Sequence, residues 1–119
     1  MISILIPTYN AVCLSLIEKM YKQAIALRIP FEILLADDAS CENIRQQNRK
    51  MTEWQGCRYL QQEVNQGPAR IRNYLASEAR YPYLLFLDSD VMPVSDSFLE
   101  EYLQVARTGR VVCGGFIYP

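Results

Sequence analysis

The sequence contains no histidine, few glycines and no long apolar segment, and each absence removes a class of function. Without histidine among its 119 residues, the chain cannot supply a serine–histidine triad, a histidine-ligated zinc or the usual histidine general base. The first of its five glycines is Gly56, so the glycine-rich phosphate loops that follow a first strand are missing. No apolar run approaches the roughly 18 residues of a membrane-spanning helix.

The charge and the cysteine content indicate which binding partners and which cellular compartment to expect. Twelve basic and thirteen acidic residues give a net charge of −1, which offers no electrostatic basis for binding nucleic acid. The four cysteines include no Cys-x-x-Cys pair, so neither a zinc site nor a disulfide framework is expected. The N-terminus lacks the basic region of a signal peptide. We therefore predict a cytoplasmic protein, with peripheral attachment to the membrane left open for a longer chain.

Apolar periodicity predicts one α/β domain in which strands and helices alternate. The strands are predicted at residues 2–6, 31–36, 58–60, 83–87 and 110–116. The helices are predicted at residues 12–28, 42–53 (capped by Ser40), 68–80 and from Ser95 or Ser97 to Gly109. Pro68 suits a first helical position, and the strand at 58–60 is expected near an edge. This order predicts an open, mostly parallel, Rossmann-like sheet with helices on both faces.

Four of the five aspartates form two clusters, and each cluster directly follows a predicted strand. Asp37 and Asp38 follow the second strand, whereas Asp88 and Asp90 flank Ser89 after the fourth. In open α/β sheets, ligands bind beyond the carboxyl ends of the strands. We therefore expect both clusters to face one cleft at that edge.

The second cluster has the chemistry of a divalent-cation site. Residues two apart on an extended chain point to the same side, so Asp88 and Asp90 are expected to converge on one ligand. Their oxygens suit Mg²⁺ or Mn²⁺, which commonly bridges to substrate phosphates. Asp-x-Asp also occurs in turns, where one aspartate caps the backbone, and that interpretation stays open.

The first cluster and two neighbouring residues suggest a nucleotide. One of Asp37 and Asp38 is expected to accept from a base or a ribose hydroxyl and the other from backbone N–H groups, although a turn with Ser40 would explain one of them. Arg72, in the first turns of the helix after Gly67, suits a phosphate. Tyr9, just beyond the first strand, suits stacking on a base; a tyrosine at the edge of the core is the alternative.

Four segments in this order resemble inverting family 2 glycosyltransferases with the GT-A fold. The resemblance is carried by Ile4-Leu5-Ile6-Pro7-Thr8-Tyr9-Asn10, Glu32 to Ser40, Asn65-Gln66-Gly67 with Arg72-Asn73, and Phe86-Leu87-Asp88-Ser89-Asp90. Two departures are mild: Ile71 replaces the usual alanine before the arginine, and Ala39 replaces the usual glycine. The resemblance implies that residues 1–119 form the nucleotide-sugar-binding part of a transferase domain.

The resemblance also implies roles for individual residues. Pro7 and Tyr9 would line the nucleobase, Asp38 with Asp37 would hold the base or ribose, and Arg72 would lie near the diphosphate. Asp88 would approach the ribose and the metal, and Asp90 would coordinate the Mn²⁺ or Mg²⁺. The donor would be a UDP- or GDP-sugar. The acceptor would be a lipid, a protein or a glycan, and a glycan acceptor would indicate polysaccharide biosynthesis.

The resemblance places the general base in a second half of the domain, so the catalytic residue is unknown in this chain. We expect the chain to be truncated, with an uncovered sheet that favours self-association. A sugar nucleotidyltransferase is one alternative, but it would need a glycine-rich loop after the first strand. A phospho-acceptor signalling domain would place its acidic pair after that strand. A non-catalytic nucleotide-sugar-binding module remains a further alternative.

Overall fold

A computed structural model describes residues 1–107, and it contains one parallel sheet flanked by helices. Its elements are β1 (Ile2–Thr8), α1 (Leu14–Leu27), β2 (Phe31–Asp38), α2 (Glu42–Asn48), a 3₁₀ helix (Arg49–Glu53), β3 (Cys57–Gln62), α3 (Pro68–Glu78), β4 (Tyr83–Phe86) and α4 (Phe98–Arg107). The predicted alternation is confirmed over these residues. The predicted fifth strand and Gly109 lie outside them. Within residues 1–107, no helix combines the length and apolar character needed to cross a bilayer.

The four strands of the described sheet are parallel and lie in the order β3-β2-β1-β4. The central strands β1 and β2 are almost entirely buried, as expected for apolar runs covered on both faces. β3 lies at one edge of the sheet formed by residues 1–107, as predicted. Thr8 at the end of β1 pairs with Asp37 of β2, so these strands reach the carboxyl edge together.

Helices cover both faces of the sheet, which confirms the predicted three layers. On one face, α1 and α4 bury their apolar stripes against alternate strand residues such as Ile4, Ile6 and Leu35. On the other face, α3 packs Ile71 and Leu75 against β1 and β2. Because α3 lies directly on the central strands, the position of its first turn is fixed relative to their carboxyl ends.

The predicted helix at residues 42–53 differs in two ways from the structure. The α-helix ends at Asn48, and a 3₁₀ helix continues the chain to Glu53. The prediction that Ser40 caps α2 is wrong, because the N-cap residue is Cys41 and it makes no side-chain cap bond. The Ser40 hydroxyl instead accepts from the backbone N–H of Asn10 at 2.7 Å. A bond across 30 residues therefore replaces the local one that the sequence suggested.

Candidate functional site

A cavity of about 340 Å³ opens at the carboxyl edge of the sheet. Small-molecule sites typically measure roughly 300–1,000 Å³. The lining residues are Pro7, Thr8, Tyr9, Asp38, Asn65, Gly67, Pro68, Ile71, Arg72, Asp88 and Ser89. The expectation that both acidic clusters share one cleft is therefore met by one member of each, Asp38 and Asp88.

A second cavity, also about 340 Å³, lies at the opposite edge of the sheet beside Glu32 and Arg58. Volume alone does not distinguish the two cavities. Ligands of parallel α/β sheets bind at the carboxyl edge, where several loops converge. That edge also holds five of the predicted site residues, so it is the candidate site.

The loop after β1 carries Tyr9 to the cavity, and polar contacts hold the loop in place. Tyr9 is 57% exposed, so its ring is available to a ligand. The next residue, Asn10, has a φ of 53°, a left-handed conformation that asparagine tolerates better than most residues. Asn10 donates its N–H to Ser40 Oγ, and its Oδ1 accepts from the backbone N–H of Cys41 at 2.8 Å.

Asn48 also anchors this loop, a role that the sequence does not predict. Asn48 is fully buried; its Oδ1 accepts from the N–H of Cys13 at 2.8 Å, and its Nδ2 donates to the carbonyl of Ala11 at 2.9 Å. A buried amide with both ends bonded is a strong restraint, because breaking either bond leaves a desolvated polar group. The partners lie more than 30 residues away, so no local signal in the sequence marks Asn48.

Asp37 is fully buried and is not among the residues that line the cavity. Its Oδ1 accepts from the N–H of Ser40 at 2.8 Å, and its Oδ2 accepts from the Tyr59 hydroxyl at 2.7 Å. Burial, followed by the bond to Asp37, raises the pKa of Tyr59 well above its usual range. Asp37 therefore lies outside the cavity and stabilises its wall through the bonds to Ser40 and Tyr59. A contact between Asp37 and a nucleotide sugar stays a prediction.

Asp38 lines the cavity but is only 5% exposed. Its Oδ1 accepts from the N–H of Gln66 at 2.6 Å, and its Oδ2 accepts from the N–H of Gly67 at 2.9 Å. Its backbone carbonyl accepts from Asn65 Nδ2 at 3.1 Å. Asp38 therefore connects the end of β2 to the loop that precedes α3. Pro68 is the first residue of α3, as predicted.

Arg72 and Asp88 meet across the cavity. Arg72 Nη2 lies 2.9 Å from Asp88 Oδ1, and the two side chains are 50% and 40% exposed. This pair joins α3 to the segment after β4. The carboxylate and the guanidinium are both accessible, so a ligand that carries phosphate or a cation can compete for either partner.

The segment after β4 is not extended, contrary to the prediction. β4 ends at Phe86, and the N–H of Val91 donates to the carbonyl of Asp88 at 3.1 Å, which closes a turn. Asp90 is exposed in this turn and is not among the cavity-lining residues. Side chains two residues apart point to the same side only in an extended chain, so the turn no longer predicts that Asp88 and Asp90 share one side. Within residues 1–107, no three acidic, thiol or imidazole side chains cluster as metal ligands.

Comparisons with known sequences agree on one family. A sequence model of the family described as glycosyl transferase family 2 matches residues 3–119. An uncharacterised glycosyltransferase of Haemophilus influenzae is 33% identical over 119 residues, which covers 94% of this chain and 44% of that protein. An uncharacterised glycosyltransferase of Rickettsia felis is 32% identical over 104 residues, which covers 87% of this chain and 16% of that protein. The chain thus spans less than half of these relatives.

Solved structures with the same fold include a mannosyltransferase and a protein in complex with a nucleotide sugar. TarS 1–349 of S. aureus in complex with UDP-GlcNAc matches with a TM-score of 0.73 and 26% identity, over 90% of this chain and 31% of that chain. The mannosyltransferase PcManGT from Pyrobaculum calidifontis, in complex with GDP-Man and Mn²⁺, matches in fold with a TM-score of 0.75 and 18% identity, over 87% of this chain and 31% of that one. The predicted GT-A fold is confirmed, and the chain belongs to glycosyltransferase family 2.

Proposed function

We propose that this chain binds the nucleotide sugar of an inverting, metal-dependent glycosyltransferase that transfers a hexose to an acceptor hydroxyl. The observation that carries the proposal is the cavity in which Asp38, Arg72 and Asp88 meet at the carboxyl edge of the sheet. A nucleoside-diphosphate sugar presents hydroxyl donors and a diphosphate. Carboxylates accept from the former, and arginine binds the latter.

The nucleoside is assigned to the β1 side of the cavity. Pro7 and Tyr9 line that side, and the exposed Tyr9 ring offers a face for stacking on a base. Asp38 is within the same cavity, and each of its bonded oxygens retains a second lone pair for a base or ribose donor. Asp37 contributes from behind through Ser40 and Tyr59.

The diphosphate is assigned to Arg72 and the start of α3. A guanidinium forms paired hydrogen bonds with phosphate oxygens. The positive end of the α3 dipole also favours an anion, although Pro68 has no N–H and the N–H of Gly67 is bonded to Asp38. Gly67 and Pro68, which begin this helix, line the cavity together with Arg72. The pair between Arg72 and Asp88 would then exchange for a pair between Arg72 and phosphate.

Asp88 and Asp90 fit a divalent cation by donor type, and we assign Mn²⁺ or Mg²⁺ to them. Both are accessible carboxylates, with Asp88 in the cavity wall and Asp90 exposed two residues further on. Mg²⁺ is typically held by one or two protein carboxylates together with substrate phosphates and waters, so a third ligand residue is not required. Bound there, the cation would neutralise charge on the departing diphosphate as a Lewis acid.

Known complexes of structural relatives support the ligand class. TarS was solved with UDP-GlcNAc, and PcManGT was solved with GDP-Man and Mn²⁺. In the proposed reaction an acceptor hydroxyl attacks the anomeric carbon from the face opposite the diphosphate. The new C–O bond forms as the bond between the anomeric carbon and the diphosphate breaks, and the electron pair of the broken bond leaves with the nucleoside diphosphate. The hydroxyl proton passes to a base that we expect outside this chain.

Thermal unfolding with UDP or GDP tests the binding part of the proposal. A ligand that binds only the folded state stabilises it by about 2.7 kcal/mol at 100 times its Kd. We expect UDP or GDP to raise Tm when Mn²⁺ or Mg²⁺ is present and to have little effect in EDTA. Mn²⁺ without nucleotide is the control. Identical melting curves with and without metal plus nucleotide would contradict the proposal.

A further inference from the structure

We propose that Asp38 is a positioning residue, whose carboxylate fixes the loop before α3 and thereby holds Arg72 in place over the cavity. This role adds to the direct contact with the base or ribose that the proposed function assigns to Asp38. The loop restraint can be tested without any ligand. The consequence for diphosphate binding rests on the proposed function.

The hydrogen bonds of Asp38 carry this inference. Both carboxylate oxygens accept from successive backbone N–H groups, those of Gln66 and Gly67, and Asn65 Nδ2 donates to the Asp38 carbonyl. The carboxylate is nearly buried, so these bonds are shielded from water. Charge-assisted bonds of this kind are stronger than bonds between neutral groups. Asp38 is thus bonded to three successive residues of the loop.

The loop needs such a restraint because its conformation is unfavourable on its own. Gly67 has φ 85° and ψ 163°, a region that essentially only glycine occupies, and glycine loses the most conformational freedom on folding. The loop residues Val64 and Asn65 are exposed, with Val64 at 68%. Little apolar packing is therefore available there, and the bonds to Asp38 hold the loop.

The loop is coupled to Arg72 through the first turn of α3. Gly67 is the N-cap residue, and its carbonyl accepts from the N–H of Ile71, the residue before Arg72. Arg72 lies about one helical turn beyond Pro68. Ile71 and Leu75 keep the helix packed on the sheet. Loss of the Asp38 bonds is therefore expected to loosen the first turn and the guanidinium without detaching the helix.

Amide hydrogen exchange, measured by NMR on the ligand-free chain, tests the restraint. In the wild-type protein we expect the amides of Gln66 and Gly67 to be protected although they lie in a loop. Asp38→Asn replaces one acceptor with an NH₂ group, so exchange at one or both amides should rise by about tenfold or more. Asp96→Asn, the same change at an exposed aspartate, is the matched control and should leave both rates unchanged. Unprotected wild-type amides would overturn the proposal even if the variant failed to fold.

The affinity for inorganic pyrophosphate in the presence of Mn²⁺ separates positioning from base or ribose contact, because pyrophosphate has neither group. If Asp38 acts through the loop and Arg72, Asp38→Asn should weaken the binding of pyrophosphate as well as that of UDP. Unchanged pyrophosphate affinity despite faster exchange would remove the effect on Arg72 and contradict the proposal. If the wild-type protein binds neither UDP nor pyrophosphate, the proposed function fails, whereas the exchange rates still decide the restraint.

Discussion

Arg72 Nη2 lies 2.9 Å from Asp88 Oδ1, so a residue assigned to phosphate is paired with a residue assigned to metal. Both side chains are about half exposed, and ion pairs of this kind contribute at most about 1 kcal/mol to the free energy of unfolding. The pair is therefore strong enough to orient two groups in the ligand-free protein and weak enough for a ligand to replace. It would also make the proposed phosphate and cation sites interdependent.

Arg72→Gln should have opposite effects on the cation and on the nucleotide. Without nucleotide, removal of the competing guanidinium should tighten Mn²⁺ binding by roughly two- to fivefold, the equivalent of up to about 1 kcal/mol. With Mn²⁺ present, UDP affinity should fall about tenfold, because a charge-assisted bond to phosphate is lost. Calorimetric titration measures both affinities. Arg70→Gln, at an exposed arginine on the same helix, is the control. Equal weakening of both ligands by Arg72→Gln would contradict the assignment.

Asp90→Ala should abolish metal-dependent nucleotide binding and leave the fold intact. Asp90 is exposed in the turn after β4, where substitutions usually change the free energy of unfolding by less than about 0.5 kcal/mol. The measurement is the Tm shift produced by UDP with Mn²⁺, compared with the Tm of the unliganded variant. A variant that retains the full shift would show that the turn keeps Asp90 away from the cation. A variant that does not fold would show a structural role.

Glu32→Ala should destabilise the protein and leave nucleotide affinity unchanged. Glu32 is buried at the amino edge, where its Oε2 accepts from Ser3 Oγ and from the N–H of Arg80, each at 2.6 Å. Arg58 Nη1 lies 3.7 Å from Oε1. Removal of the carboxylate leaves these groups without their partner, which should reduce the free energy of unfolding by about 3 kcal/mol. Urea unfolding measures this loss, and a parallel loss of UDP affinity would place the amino edge in the site.

Tyr59→Phe should make stability less sensitive to alkaline pH. Burial raises the pKa of Tyr59 in the folded protein above the usual value of 10.0 that applies to the unfolded chain. At a pH between the unfolded-state and folded-state pKa values, the folded protein therefore keeps a proton that the unfolded chain releases. The contribution of Tyr59 is therefore complete below pH 10 and falls as pH rises above it. The variant should be less stable at pH 7 by about 1.5 kcal/mol, because the bond to Asp37 is lost.

Urea unfolding of both proteins between pH 7 and pH 11 measures the effect on stability. The difference between wild type and variant should shrink above pH 10. Burial also raises the pKa of the Cys57 thiol to about 12, and because Cys57 is present in both proteins its contribution cancels in the difference. A gap that stays constant across this range would show that Tyr59 has the same pKa in the folded and unfolded chains.

The location of the site could be predicted from the sequence, whereas most of the contacts within it could not. Pro7, Tyr9, Asp38, Arg72 and Asp88 all line the carboxyl-edge cavity, because strand ends and a helix start can be located from local patterns. A turn around Asp88 and Asp90 was only an alternative to the extended arrangement, because the bond that closes the turn at Asp88–Val91 depends on where β4 stops pairing with β1. The roles of Asn48 and Tyr59 were missed because their partners are distant along the chain.

By itself, the sequence determined the alternation of strands and helices and the edge at which the acidic residues gather. Both follow from apolar periodicity and from the high free energy of burying unpaired carboxylates. Only the tertiary structure decided what each carboxylate does. Asp37 and Asp38 are neighbours, yet one meets Tyr59 behind the site and the other meets the loop before α3. Successive side chains on a strand point to opposite faces, and the fold determines what each face contacts.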